Sequence, residues 1–301
     1  MPQPPLPAAP GQAAPAPASL QETKHHGSPL FPFNIYPCTI PGDFLSVPLH
    51  WQSSMELVYI KRGAGQARVG VELLPARAGD IFILPPGALH GLYQQPGKTM
   101  EYENIIFSLS FLGGGVDDVC ARQYLLPLQA GQVGLPPCIS PGEPCYDELA
   151  VCLREAENFC ARRPPGYELG VKGSMLRFLS LLLAMQTLPP ARPDSRDTKR
   201  LKTALELVEA HYAAPLTVAQ AAACCGCSAS HFMRWFKRMT GSSFAAFLND
   251  RRLAAAAEEL RRTDDTVLNI AVRAGFENLS NFNRQFKARY GMPPRAYRQA
   301  P

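Results

Sequence analysis

The chain has 301 residues, 46% hydrophobic and 18% charged, with a net charge of +5. That length suits about two domains of roughly 100–200 residues each, with an apolar fraction typical of globular proteins. No stretch reaches the ~20 consecutive apolar residues of a membrane span, and the N-terminus lacks a secretory signal; nine cysteines without a regular framework fit reduced thiols, so the cytoplasm is the expected compartment.

In chain order, residues 1–29 are rich in Pro and Ala and read as a disordered tail, because they cannot bury enough surface to offset their ordering entropy. Residues 30–112 read as β-structure. Short runs such as Met55–Ile60, Gln66–Val71, Asp80–Leu84 and Tyr102–Ser108 are rich in branched and aromatic residues, with Gly and Pro between them, as in a small barrel or sandwich. Residues 113–188 begin Gly/Pro-rich and continue as two amphipathic helices, at about 145–162 and 167–187, for packing or dimerisation. Pro189–Thr198 reads as a linker, and 199–301 as helix. Within it, Cys224-Cys225-Gly226-Cys227 lacks a second pair at zinc spacing and reads as small-residue packing.

Charge divides along the same boundary. Residues 199–301 hold 16 Lys/Arg and 8 Asp/Glu, net +8, against −3 for the rest. A basic module on a slightly acidic body is suited to a polyanion. The same module carries an internal repeat. Ser230-His231-Phe232-Met233-Arg234-Trp235-Phe236-Lys237, then Gly241, recurs fifty residues later as Ser280-Asn281-Phe282-Asn283-Arg284-Gln285-Phe286-Lys287, then Gly291. Each copy follows a short helical stretch (Leu216–Ala223 and Thr266–Arg273) and a turn containing Gly226 or Gly275, the order of a helix-turn-helix. Phe232, Trp235, Phe236 and Met239 share one helical face and point inward, as do Phe282, Phe286 and Tyr290. Ser230, Met233, Arg234 and Lys237 fall on the other side, as do Ser280, Asn283, Arg284 and Lys287. Arg can bond guanine and Asn adenine in a major groove, and the later Lys residues are placed for phosphates. Phe244–Leu260 reads as the helix joining the two units.

These residues resemble the AraC/XylS family of bacterial transcription regulators. The resemblance covers about 199–298 and rests on Leu216-Thr217-Val218-Ala219, Phe236-Lys237 with Thr240-Gly241, Arg252-Leu253, Ile270-Ala271 with Gly275-Phe276, and Phe286-Lys287 with Gly291, Pro293-Pro294 and Tyr297-Arg298. It implies DNA contacts at Ser228, Ser230, Met233 and Arg234 and at Leu279, Ser280, Asn283 and Arg284. Periodicity also places Leu279 beside Phe282 in the core.

The β region is similar to the cupin-like sensor of that family. Gly79-x5-Pro85-x-Gly87-x2-His90-x3-Gln94 fits one cupin motif, and His50-x-Gln52-x3-Glu56-x6-Gly63 the other. In metal-binding cupins these motifs supply three His and one Glu. Here Gln52 replaces a His and is a poor ligand for a transition metal, so neither a metal nor another cofactor is expected. A polar pocket at a barrel mouth suits a hydroxyl-rich small molecule such as a sugar, with His50, Trp51, Glu56, Arg62, His90, Tyr102 and Glu103 as candidate contacts.

The expected molecule is α+β with two domains: a cupin-like β-barrel with following helices, then an all-α module with two helix-turn-helix units. The expected function is metabolite-responsive, sequence-specific transcription regulation, as an activator and not an enzyme. Its expected partners are double-stranded DNA, a small effector, RNA polymerase and a second copy of the chain, with no membrane. The alternatives are a metal-dependent cupin enzyme or metal sensor fused to a DNA-binding module, and a regulator with no ligand.

Overall fold

Strand β4, Met55–Val69, organises the N-terminal unit. The computed structural model describes residues 20–22, 26–113, 118–185 and 196–299. The other strands are β1 Gln21–Glu22, β2 Phe33–Ile40, β3 Ser46–Gln52, β5 Glu72–Arg77, β6 Ile81–Leu84, β7 His90–Gln94, β8 Met100–Phe107 and β9 Cys138–Ile139. The first half of β4 pairs antiparallel with β6 and β8, and its second half with β5 and β7. The register against β8 shifts between Ile60 and Arg62, where β4 passes between the two sheets. Gly63 sits beyond that bulge at φ 76°, and a Cβ there would lie 1.9 Å from the Thr99 carbonyl oxygen, so only glycine fits.

The first half of β4 is buried on both faces, which explains its continuous apolar run. Val58 and Ile60 join Ile40, Ala67, Phe82, Leu84, Leu92, Met100 and Tyr102 in the barrel core. Met55 and Leu57 point the other way, with Ile81, Ile83, Ile105 and Phe107, onto two helices. After a short α1 (Leu126–Gln129), these are α2, Tyr146–Arg162, and α3, Tyr167–Ala184. Leu149, Leu153, Met175, Phe178 and Leu182 complete this core. Burial of each such side chain is worth ~1.5–3 kcal/mol, so barrel and helices stabilise one another.

Three expected boundaries need correction. The tail assigned to 1–29 is not uniformly unstructured. Residues 1–19 and 23–25 lie outside the described residues, but β1 runs parallel to Trp51-Gln52 of β3 and His26 is buried. The division at 112/113 also fails, because β9 pairs with β6 and α2 and α3 share the barrel's second core. Of the linker assigned to 189–198, residues 189–195 lie outside the described residues, and 196–198 already belong to α4, Arg196–His211.

Compact unit two contains α4 and then α5 Val218–Cys224, α6 Ala229–Thr240, α7 Phe244–Arg262, α8 Val267–Arg273, α9 Leu279–Tyr290 and α10 Pro294–Gln299. The two helix pairs match in length, 7 and 12 residues each. Their N-caps are Thr217, Ser228, Thr266 and Asn278, each accepting from the backbone N–H three residues on. Thr217 and Gln220 form a full capping box. Among the described residues no helix is long and apolar enough to cross a membrane.

The turns of the two pairs are not equivalent. Gly275 has φ 88°, and a Cβ there would lie 2.7 Å from the Ala213 carbonyl oxygen and 3.0 Å from Arg252 Nε. Gly226 has φ 63° with nothing within 4 Å. Gly275→Ala is therefore expected to destabilise the module by about 2–3 kcal/mol and Gly226→Ala by about 1. Urea unfolding of the two variants checks the ranking; equal losses would contradict it.

Candidate DNA interface and effector site

Helices α6 and α9 each present one apolar and one polar face. In α6, Phe232, Trp235, Phe236 and Met239 are buried, while Ser228, Ser230, Met233, Arg234 and Lys237 are exposed. The Trp235 indole N–H donates to Asp197 Oδ1 at 2.9 Å, which ties α6 to α4. In α9, Phe282 and Phe286 are buried, while Ser280, Asn283, Arg284 and Lys287 are exposed. Leu279 does not join that outer face: it is half-buried and packs on the core with Phe276, Phe282 and Ile270. Ser228 is occupied as an N-cap, so its hydroxyl already accepts the His231 N–H. Arg284 is oriented by Asn281, whose Oδ1 accepts from Nη2 at 2.8 Å. Nineteen-residue α7, about 28 Å long at 1.5 Å per residue, joins the two helix pairs.

Motif residues outside these faces have structural work. Arg252 donates to the carbonyls of Tyr212 (2.6 Å) and Ala214 (3.0 Å), satisfying groups left open where α4 ends. Arg298 donates to the carbonyls of Leu260 and Asp265, bracing the entry to α8.

In the N-terminal unit, alternation along the strands sorts the expected effector contacts into two sets. His50 and Gln52 share one face of β3 and meet Glu56 of β4 and His90 of β7, all 2–4% exposed. The rings of His50 and His90 are 4.2 Å apart. Each His turns Nδ1 to a backbone carbonyl two residues back, Pro48 at 2.9 Å and Ala88 at 2.8 Å, which leaves Nε2 for the cluster. His90 Nε2 lies 2.9 Å from Glu56 Oε2, an ion-pair distance without hydrogen-bond alignment. The Gln52 amide nitrogen donates to Glu56, and its Oε1 is buried without a partner. Burial alone would push the Glu56 carboxyl up, but the His90 charge outweighs it and holds the group at about 2. Burial and the His90 charge push His50 down to about 4. Burial would also lower His90, yet the Glu56 charge raises it. Tyr102 faces the same interior, fully buried in the barrel core.

The remaining candidates are elsewhere. Trp51 is half-buried on the opposite face of β3, and the Arg62 side chain is 81% exposed beside Glu101 at 3.9 Å. Glu103 points to the helix side, where Lys61 bridges it (3.2 Å) and Glu157 of α2 (3.0 Å). Two neighbours of the cluster were not anticipated. Glu22 of β1 places its carboxylate 3.6 Å from His50 Nε2 and 3.5 Å from His26 Nε2. Its Glu22-x3-His26 spacing was visible, but the surrounding composition marked the segment as tail.

The Glu103 strut has a pH consequence. Burial and the Glu157 carboxylate push Glu103 up to about 7, against the opposing Lys61 charge. A carboxyl raised on folding contributes stability below its unfolded pKa and loses that contribution as pH rises through the folded value. Glu157 shifts downward, so its effect falls below pH ~4.5 and does not cancel this one. The Glu103 contribution to the stability of the N-terminal unit is expected to decline from about pH 4.5 to 7. Because His50, held down to about 4, adds stability as pH rises over much of the same window, the Glu103 share is read as the difference in pH slope between the wild type and Glu103→Gln. Thermal unfolding across the window measures it; an unchanged slope in Glu103→Gln contradicts the assignment.

Comparison with known proteins agrees with these two units. Residues 43–144 match the model of an AraC-like ligand binding domain, and 221–300 that of a helix-turn-helix domain. The HTH-type transcriptional regulator YdeC of Bacillus subtilis is 21% identical over 284 residues, 93% of this chain and 96% of that protein. The multiple antibiotic resistance protein MarA of Escherichia coli is 29% identical over 102 residues, 34% of this chain and 80% of that one. The right origin-binding protein of Escherichia coli is 36% identical over 94 residues, and the match spans 32% of its length. Among solved structures, ToxT from Vibrio cholerae aligns over 88% of this chain and 97% of its own, at 14% identity and a TM-score of 0.41. The DNA-binding domain of AdpA with a target DNA aligns over 33% of this chain and 90% of its own, at 28% identity and a TM-score of 0.32. With an AraC-like ligand-binding domain ahead of a double helix-turn-helix, the chain belongs to the AraC/XylS family of DNA-binding transcription regulators.

Proposed function

We propose that this regulator is an effector-responsive activator that reads two adjacent major-groove segments with α6 and α9. The observation that carries the reading is the pair of matched exposed faces: Ser230, Met233, Arg234 and Lys237 on one helix, Ser280, Asn283, Arg284 and Lys287 on the other. Two such faces joined by α7 suit grooves repeating every ~34 Å along one side of a duplex. The effector is a small hydroxyl-bearing metabolite, of which a sugar is the type. It docks at the end of the barrel where His50, Gln52, Glu56 and His90 supply both donors and acceptors. Apolar side chains fill the rest of the barrel, so a bulky ligand is disfavoured. The chain works as a homodimer and engages RNA polymerase at the promoter. The effector changes DNA occupancy only by its difference in affinity between the two functional states.

Selection of genomic fragments by the purified protein, with and without a panel of sugars and sugar acids, tests this. Enrichment of a bipartite site with two half-elements one helical turn apart, altered by a panel member, is the expected result. Fragments bound without any base preference would overturn the reading of α6 and α9. A site bound identically under all conditions would favour a ligand-independent regulator.

A further inference from the structure

We propose that the solvent face of the β5–β4–β7 sheet carries a second small-molecule site, which takes an organic anion with an apolar body. The bulge between Ile60 and Arg62 reverses the alternation along β4. Before it, Val58 and Ile60 point into the barrel core; beyond it Ala67 does, so Ala64 and Gln66 turn outward. On β5, Leu74 and Ala76 pack on the same core, which leaves Leu73, Pro75 and Arg77 on the outer face. Register brings these side chains together, since Ala64 pairs with Arg77 and Gln66 with Pro75. They line a groove of about 500 Å³, completed by Gln95 and Lys98. That volume falls in the range of small-ligand sites, ~300–1,000 Å³. On β7, His90 shares the inner face with Leu92 of the barrel core. The groove is therefore separate from the effector cluster and stands whether or not that reading holds.

Its chemistry is cationic and unbalanced. Arg77 comes from β5, and Lys98 from the Gln95–Lys98 turn that follows β7, so they flank β4 from opposite edges. Neither side chain has a hydrogen-bond or ion-pair partner among the described residues, and no Asp or Glu lines the groove. Elsewhere in this unit Lys61 is paired with Glu103 and Glu157, and Arg177 with Glu155. Arg68, on the same outer face opposite Leu73, adds a third positive charge, held at the Val71 carbonyl (3.3 Å). The side-chain amides of Gln66 and Gln95 are also unengaged, and their N–H groups can donate to anionic oxygens. A guanidinium fork and an ammonium favour a carboxylate or a phosphate. Ala64, Leu73, Pro75 and Ala76 supply the remaining side-chain surface, which suits an apolar ligand body. A DNA duplex spreads its phosphates over a convex surface and cannot enter a groove this small, so the occupant is a free small molecule.

The test is calorimetric titration of the full-length protein, in phosphate-free buffer of fixed ionic strength, with phenylacetate, phenyl phosphate and neutral benzyl alcohol. Saturable binding of at least one anion, one per chain, and none of benzyl alcohol is the expected result. The two anions tell a carboxylate from a phosphate headgroup. Arg77→Gln and Lys98→Gln should each weaken binding about 10-fold, the loss of one charge-assisted hydrogen bond. Ala64→Trp keeps both cations but fills the groove, and should abolish binding. Far-UV circular dichroism should show the fold intact in all three, and His90→Ala should leave the anion affinity unchanged. Saturable binding of neither anion overturns the site. So does binding that survives Arg77→Gln combined with Lys98→Gln. Anion binding lost in His90→Ala would put the anion inside the barrel and equally overturn it. Each of these failures leaves DNA selection by α6 and α9 untouched.

Discussion

Glu209→Ala is expected to destabilise the helical module by about 3 kcal/mol, near the low end for breaking a buried ion pair, and to lower its Tm by roughly 10–20 °C. Glu209 of α4 accepts two hydrogen bonds from Arg251 of α7, from Nε at 2.8 Å and from Nη2 at 2.7 Å. Arg251 is 8% exposed and stacks over the Tyr212 ring at 4.2 Å, and its third nitrogen has no partner. Removing the carboxylate strands a guanidinium that cannot give up its proton and cannot reach water. The low end applies because a quarter of the Glu209 side chain remains exposed. Reversing the comparison isolates the cause. Glu209→Leu with Arg251→Met removes both charges at similar volume, and such replacements are often neutral or stabilising. The double variant should therefore recover most of the loss in urea unfolding. A double variant as unstable as Glu209→Ala alone would mean that packing, not the unpaired charge, carries the effect.

That pair also shows where sequence reading reached its limit. Arg251 and Glu209 are 42 positions apart, and nothing in either neighbourhood marks them as partners. The helix-turn-helix units were legible because their information is local. Period, cap and turn residues such as Thr217, Ser228 and Gly275 determine each element within a few positions. The barrel was legible as strands, but not the division of its polar residues. Glu103 and Tyr102 are neighbours in sequence on opposite faces of β8, and only the register against β4 shows which face meets His90. Trp51 beside His50 was separated by the same alternation. Glu22 was hidden for another reason. Its segment has the composition of a tail, and its order comes from pairing with Trp51 and Gln52 some thirty residues ahead.

Arg284→Ala and Arg234→Ala together are expected to cost about 2–6 kcal/mol of base discrimination, ~1–3 for each bidentate pair lost, while reducing nonspecific binding much less. Both side chains are exposed on the outward faces of equal twelve-residue helices. They are not equally prepared. Arg284 is already held by Asn281 Oδ1, so less rotamer freedom is lost when it meets a base. Arg284→Ala should therefore cost more than Arg234→Ala, and Asn281→Ala should reproduce part of the Arg284 loss without touching DNA. Arg284→Lys should fail to rescue, because an ammonium cannot offer the planar two-donor fork. Neighbouring Met233 can offer only an apolar contact, such as to a thymine methyl, which makes the first half-element the less stringent. Lys237→Ala and Lys287→Ala should behave differently, weakening all sequences alike and reducing the salt slope by about one each. Competition binding across a library of single-base operator variants, at two salt concentrations, separates these outcomes. If Arg284→Ala shifts every sequence equally and leaves base preference intact, α9 meets the phosphate backbone rather than the groove floor.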